Sequence, residues 1–176
     1  MILTIVLFMC KRREGVVMFK AGDRIVYPMY GAGIIDEIEE VKNDDTIDSH
    51  YVIRIPNGNL KIKVAAKKTD IIGIRPVSCE KEINKAIDTV AKVPIVIQAN
   101  WNIRYKENLE KIRSGKLEEV MEVSRNLMLR ERERGLSGAE KKMLNNAKQI
   151  IISEIAYSKG IELSEAEEYL VKKLLD

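Results

Sequence analysis

The sequence predicts an α+β protein, with a small five-stranded β-barrel over residues 18–77 followed by an all-α bundle of about five helices over residues 78–176. Three observations carry this reading. Apolar residues alternate with a period near two up to about Val77 and recur at helical spacing from Ser78 onward. Asn57-Gly58 stands between two β-prone runs, the strongest short hairpin signal. Ser137 with Glu140 and Ser164 with Glu167 have the spacing of capping boxes that open helices.

The strands follow in order. Arg24-Ile25-Val26-Tyr27 is β-prone, and Pro28 then limits the ladder and starts a turn. Gly31-Ala32-Gly33 permits positive φ or close backbone approach, so Gly31 and Gly33 read as structural. Ile34, Ile35 and Ile38 continue a second strand toward an acidic loop at Asn43, Asp44 and Asp45. Tyr51–Ile55 and Leu60–Val64 flank the Asn57-Gly58 turn, with positive φ expected at both turn residues. Ile62 and Val64 alternate with Lys61 and Lys63, which makes one face of that strand buried and the other basic. A fifth strand is expected near Ile71–Ile74. Closure into a barrel would limit exposed edges.

The helices are marked by their apolar stripes. Ile83, Ala86, Ile87 and Val90 form the first, stopped before Pro94; Trp101, Tyr105, Leu109 and Ile112 form the second, closed at Ser114-Gly115. Leu117, Val120, Met121, Leu127 and Met128 form a third that ends at Gly135. Met143, Leu144, Ala147, Ile151 and Ile155 form a long fourth, and Leu170 and Leu174 a short fifth.

Composition narrows the function. The formal net charge is only +3, but residues 97–148 carry twelve basic groups against eight acidic ones. That surplus fits either a phosphate-contacting surface or a solvated helix face laced with ion pairs. The apolar run Ile2–Cys10 is too short to span a membrane, and its positive charges follow it instead of preceding it as in a secretory signal. Residues 1–17 are expected to be a spurious or disordered leader, with Met18 the natural start. The cysteines, Cys10 and Cys79, and the single His50 provide no disulfide framework or metal-ligand spacing, so a reducing, cytoplasmic setting without cofactor or metal is expected. No phosphate loop, dinucleotide fingerprint or nucleophile elbow occurs, and no nucleophile–base pair suggests an enzyme.

Phe19-Lys20-Ala21-Gly22-Asp23, Val26-Tyr27-Pro28 and Gly31 resemble the opening of the CarD/CdnL family of RNA-polymerase-binding regulators. The likeness continues through Asn100-Trp101-Asn102-Ile103-Arg104-Tyr105-Lys106, Asn108–Lys111, Ser114-Gly115, Glu133–Ser137 and Glu140-Lys141, from about Met18 to Ile155 in register. It implies a Tudor-like barrel that docks on the β subunit of RNA polymerase. It also implies a helical domain at promoter DNA near the upstream edge of the transcription bubble, where it stabilises the open complex without reading sequence. Polymerase-contact positions of the family fall on Lys63, with Lys61 beside it, and on Val41, a departure from the family's arginine. DNA-contact positions fall on Trp101 as a wedge and on Lys106 and Lys141 as backbone contacts; Ile103 replaces a basic residue, leaving Arg104 as the nearer candidate. A monomer with no membrane partner is expected.

Each residue also has a plainer reading. Trp101 heads an apolar stripe and could be core, whereas its first-turn position lets it leave that stripe. Lys61, Lys63, Lys106 and Lys141 could be ordinary surface lysines. The alternative function is a polymerase adaptor whose helical half binds another protein factor. Transcription–repair coupling factors use a similar module, but their helicase motors exceed this chain's 176 residues.

Overall fold

The computed structural model describes residues 18–43, 46–56, 58–94 and 98–175. The expectations for residues 1–17 and for Asp44, Asp45 and Asn57 lie outside the described residues. Strands β1 (Arg24–Tyr27), β2 (Gly31–Asn43), β3 (Thr46–Ile55), β4 (Leu60–Ala65) and β5 (Arg75–Pro76) form one antiparallel sheet of order β4-β3-β2-β1-β5. This is the five-stranded sheet expected from the sequence. Period-two alternation sends Ile35, Tyr51, Ile53, Ile55 and Val64 into a core with Phe19, Ile25 and Ile74. Between Ile35 and Glu37 the β2–β3 register shifts, and Asp36 is the extra residue; its carboxylate takes the Arg54 guanidinium at 2.9 Å.

One local expectation is met and another corrected. Gly58 has the positive φ expected of it (84°), Asn59 also takes a positive φ (50°), and Asn59 N–H donates to Pro56 O at 3.1 Å. Ile55 pairs with Leu60, so the connection has four residues, Pro56 to Asn59. Ile71 and Ile72 are not strand: Thr69–Ile72 is a single helical turn, α1, preceded by a 3₁₀ turn at Ala66–Lys68. Thr69 O accepts from both Gly73 N–H and Ile74 N–H, and Gly73 takes the left-handed conformation that ends the turn. The fifth strand is thereby moved to Arg75–Pro76, where it pairs with β1.

Five longer helices follow: α2 (Glu80–Lys92), α3 (Trp101–Ser114), α4 (Leu117–Arg134), α5 (Gly138–Lys159) and α6 (Leu163–Leu175). The Ser137–Glu140 capping box opens α5 as its spacing predicts. The helix expected to open at a Ser164–Glu167 box starts earlier, at Leu163, where Glu162 N–H donates to Glu165 Oε2 at 3.3 Å. Helix α5 departs from a simple stripe, because Ile150 through Ala156 are all buried. A helix buried on every side must have neighbours on every side, and α5 packs against α2, α3, α4, α6 and β2. Each fully buried isoleucine there contributes about 1.5–3 kcal/mol of transfer free energy.

Among the described residues, no helix is long and apolar enough to cross a membrane. No group of three His, Cys, Asp or Glu among them could hold a metal ion.

Candidate functional site

The starts of α3 and α5 lie side by side. Asn100 caps α3, its Oδ1 accepting from Asn102 N–H at 2.9 Å and Ile103 N–H at 3.3 Å. Trp101 is therefore in the first turn, and it is 41% exposed. Its ring stacks on Tyr105 with centroids 5.2 Å apart and an interplanar angle of 23°. Its indole N–H donates to Ser137 Oγ at 3.2 Å.

Ser137 caps α5 and is fully engaged. Its hydroxyl donates to Glu140 Oε2 at 2.9 Å and accepts from Trp101 and from Glu140 N–H, which uses one proton and both lone pairs. Glu140 is 2% exposed. Its Oε1 accepts from Arg104 Nε at 2.8 Å and lies 2.7 Å from Nη2. Burial pushes the Glu140 carboxyl up, but hydrogen bonds from Arg104 and Ser137 outweigh that and hold it below the usual carboxylate range.

Arg104 is thereby removed from the DNA-contact candidates. It is 5% exposed, and its Nη1 donates to the carbonyls of Gln98 (2.6 Å) and Ala99 (3.2 Å) while the rest of the fork holds Glu140. Reaching a phosphate would mean breaking a buried ion pair. Lys106 and Lys141 are exposed and form no ion pair among the described residues. Ile103, beside the tryptophan, is 45% exposed.

The sheet candidates share one face. Lys61 and Lys63 lie opposite Arg54 and Val52, and the β2–β3 register puts Glu37, Glu39 and Val41 on the same side. An ion-pair lattice covers this face: Lys63 with Glu39, Lys61 with Asp36 at 3.7 Å, and Lys67 with Asp48 at 2.8 Å. These pairs are half exposed, so each contributes about 0–1 kcal/mol and leaves the lysines able to exchange partners. Val41 is half-buried opposite Asp48 and brings no charge. Strand β4 stands at one end of the strand order.

Residues 19–78 match the family model of the CarD-like/TRCF RID domain, and residues 85–171 match that of the CarD C-terminal domain. The transcription factor YdeB of Bacillus subtilis (strain 168) is 39% identical over 144 residues, covering 82% of this chain and 94% of YdeB. The chain belongs to the CarD family. Its family makes it a CarD-like transcription factor, and its sheet half carries the fold of the RID domain.

In this CarD-family chain, sequence reading found Trp101, Lys106 and Lys141 on the surface but missed the supports beneath them. Ser137 and Glu140 read only as a helix cap. Their second role depends on matched spacing: Trp101 and Arg104, three apart on α3, meet Ser137 and Glu140, three apart on α5. Residues three apart share a helix face, so two first-turn pairs of this kind were the available signal.

Proposed function

We propose that this CarD-family chain binds the RNA polymerase β subunit through its sheet half and stabilises the open promoter complex through its helical half. The observation that carries the reading is the exposed Trp101, a flat apolar ring held edge and face by Ser137 and Tyr105 at the start of α3. An aromatic wedge can enter a minor groove only where a base step is unstacked, a step that costs a few kcal/mol and that insertion partly repays. That contact exists in the open complex and not in intact duplex, so it shifts the equilibrium toward opening. Lys106 and Lys141 would neutralise backbone phosphates nearby, positioning the protein without reading bases. Lys61 and Lys63, on the terminal strand β4, support docking by strand addition with rim charges that speed encounter. The charge surplus of the helical half is too small to hold DNA alone; attachment to polymerase supplies the local concentration.

The exposed pair Trp101 and Ile103 would equally suit a protein factor, the adaptor reading. A photo-crosslinking amino acid at position 103, in a complex of the chain with polymerase and promoter DNA, separates the two. Crosslinks to DNA at the upstream edge of the bubble support the proposal. Crosslinks to protein alone would replace it with the adaptor.

A further inference from the structure

Glu154 is a carboxylate with no exposed surface, and neither proposed interface uses it. It takes Arg75 Nη1 at 2.5 Å and Nη2 at 2.8 Å, and it accepts Ser78 N–H at 2.9 Å. Arg75 Nε also donates to Gly115 O at 3.0 Å. Burial alone would lower the pKa of Arg75, but its hydrogen bond and charge pairing with Glu154 outweigh that and raise it. One carboxylate on α5 thus ties β5, the chain entering α2 and the α3–α4 connection together.

Four more contacts join the same surfaces. A Cβ on Gly31, which has φ 94°, would lie 2.5 Å from Ser153 Oγ and 3.3 Å from Ile150 Cα. Ser153 Oγ accepts Ala32 N–H at 2.9 Å. Met29, itself at φ 70°, packs against the helical core, and its carbonyl accepts from Asn146 Nδ2 at 3.0 Å. Arg24 donates to Tyr157 O at 2.6 Å with its guanidinium 5.5 Å from the Tyr157 ring centroid.

We infer that Glu154 and Gly31 are positioning residues that lock the sheet and the helices into one rigid body, holding Trp101 at a set distance from the β4 edge. The contacts are spread along one face of α5, from Asn146 to Tyr157, so sliding along the helix or rotating it would break them. The purpose of the lock rests on the proposed function. Successive base pairs are about 3.4 Å apart along one strand, so a wedge carried on a loose joint would meet several steps, and ordering it on arrival would weaken the contact. A rigid frame delivers the ring to a single step.

The test uses the full chain with its native cysteines replaced by serine and spin labels on Lys42→Cys and Glu110→Cys, both exposed positions outside the proposed contacts. Electron–electron distance measurements are made with and without Glu154→Ala, and open-complex half-life and affinity for polymerase are measured in parallel on unlabelled chains. The expected result is a single narrow distance distribution that broadens several-fold in the variant. The open-complex half-life should fall toward that of Trp101→Ala while affinity for polymerase is unchanged. Glu154→Gln, which keeps the shape and part of the hydrogen bonding, should recover part of both. Should Glu154→Ala fail to fold, Arg24→Ala with Asn146→Ala loosens the same joint from its rim. A broad distribution in the parent chain, or a narrow one unaltered by the variants, overturns the inference. So does a broadened joint with an unaltered half-life where Trp101→Ala shortens it. If Trp101→Ala itself has no effect, the proposed function fails, and the distances alone decide whether the body is rigid.

Discussion

Trp101 donates its indole N–H to the hydroxyl of Ser137, thirty-six residues away, so the ring proposed to enter DNA hangs from the cap of another helix. Ser137→Ala removes that acceptor together with the cap. The cap costs about 1 kcal/mol of stability. The released ring should also show lower fluorescence anisotropy and easier quenching, and Trp101 is the protein's single tryptophan. Ser137→Thr, which keeps the hydroxyl, should restore both. An unaltered emission in Ser137→Ala would mean that Tyr105 alone holds the ring.

Arg104→Ala should destabilise the protein by about 3 kcal/mol, because it leaves the buried Glu140 carboxylate short of its main partner. The loss should be visible in the free protein by denaturant melting. A fully stable Arg104→Ala that loses only DNA-dependent activity would restore Arg104 to the contact surface.

Acid should act through Glu140. A carboxyl whose folded pKa is depressed contributes stability that is present above the unfolded range, about pH 4.3, and is lost as pH falls through the lower folded value. The stability difference between the parent and Glu140→Gln should therefore be largest near neutrality and shrink below about pH 4. A difference independent of pH would remove the carboxylate's charge from the account.

Lys106 and Lys141 face solvent without ion pairs among the described residues, so replacing both by alanine should leave melting within about 0.5 kcal/mol of the parent. Binding to promoter–polymerase complexes should weaken alike at different promoters, and the log–log salt slope should fall by about 1.8 for two lost phosphate contacts. A promoter-selective loss would indicate base reading.

The sheet's alternation and the helical stripes were legible because each is local: Ile53 and Val64, or Ile83 and Ile87, declare their faces within a few residues. The run Ile71–Ile74 misled, since β-branched residues favour strands but Gly73 and the Thr69 carbonyl close a helical turn there. Gly31 was read as a turn residue, and its φ is indeed positive, but the proximity of Ser153 could not be inferred from a sequence separation of more than a hundred residues. Arg104 was misassigned for the same reason: nothing beside it in sequence announces Glu140. Spacing alone left Trp101 ambiguous, because its stripe partners Tyr105 and Ile112 argued core while its first-turn position argued surface, and the family resemblance tipped it toward the surface.

The most direct test of the central claim is the decay of open promoter complexes, after a competitor is added, in the presence of the parent chain and of Trp101→Ala. The ring is 41% exposed and makes one stack and one hydrogen bond, so its removal should cost about 1–2 kcal/mol in melting, below the 3–5 kcal/mol of a buried tryptophan. Polymerase capture through the sheet half should be retained. The account predicts a roughly tenfold shorter open-complex half-life, equivalent to about 1.4 kcal/mol of wedge contact. A Trp101→Ala chain that still folds and still binds polymerase, yet sustains open complexes as long as the parent does, would contradict it.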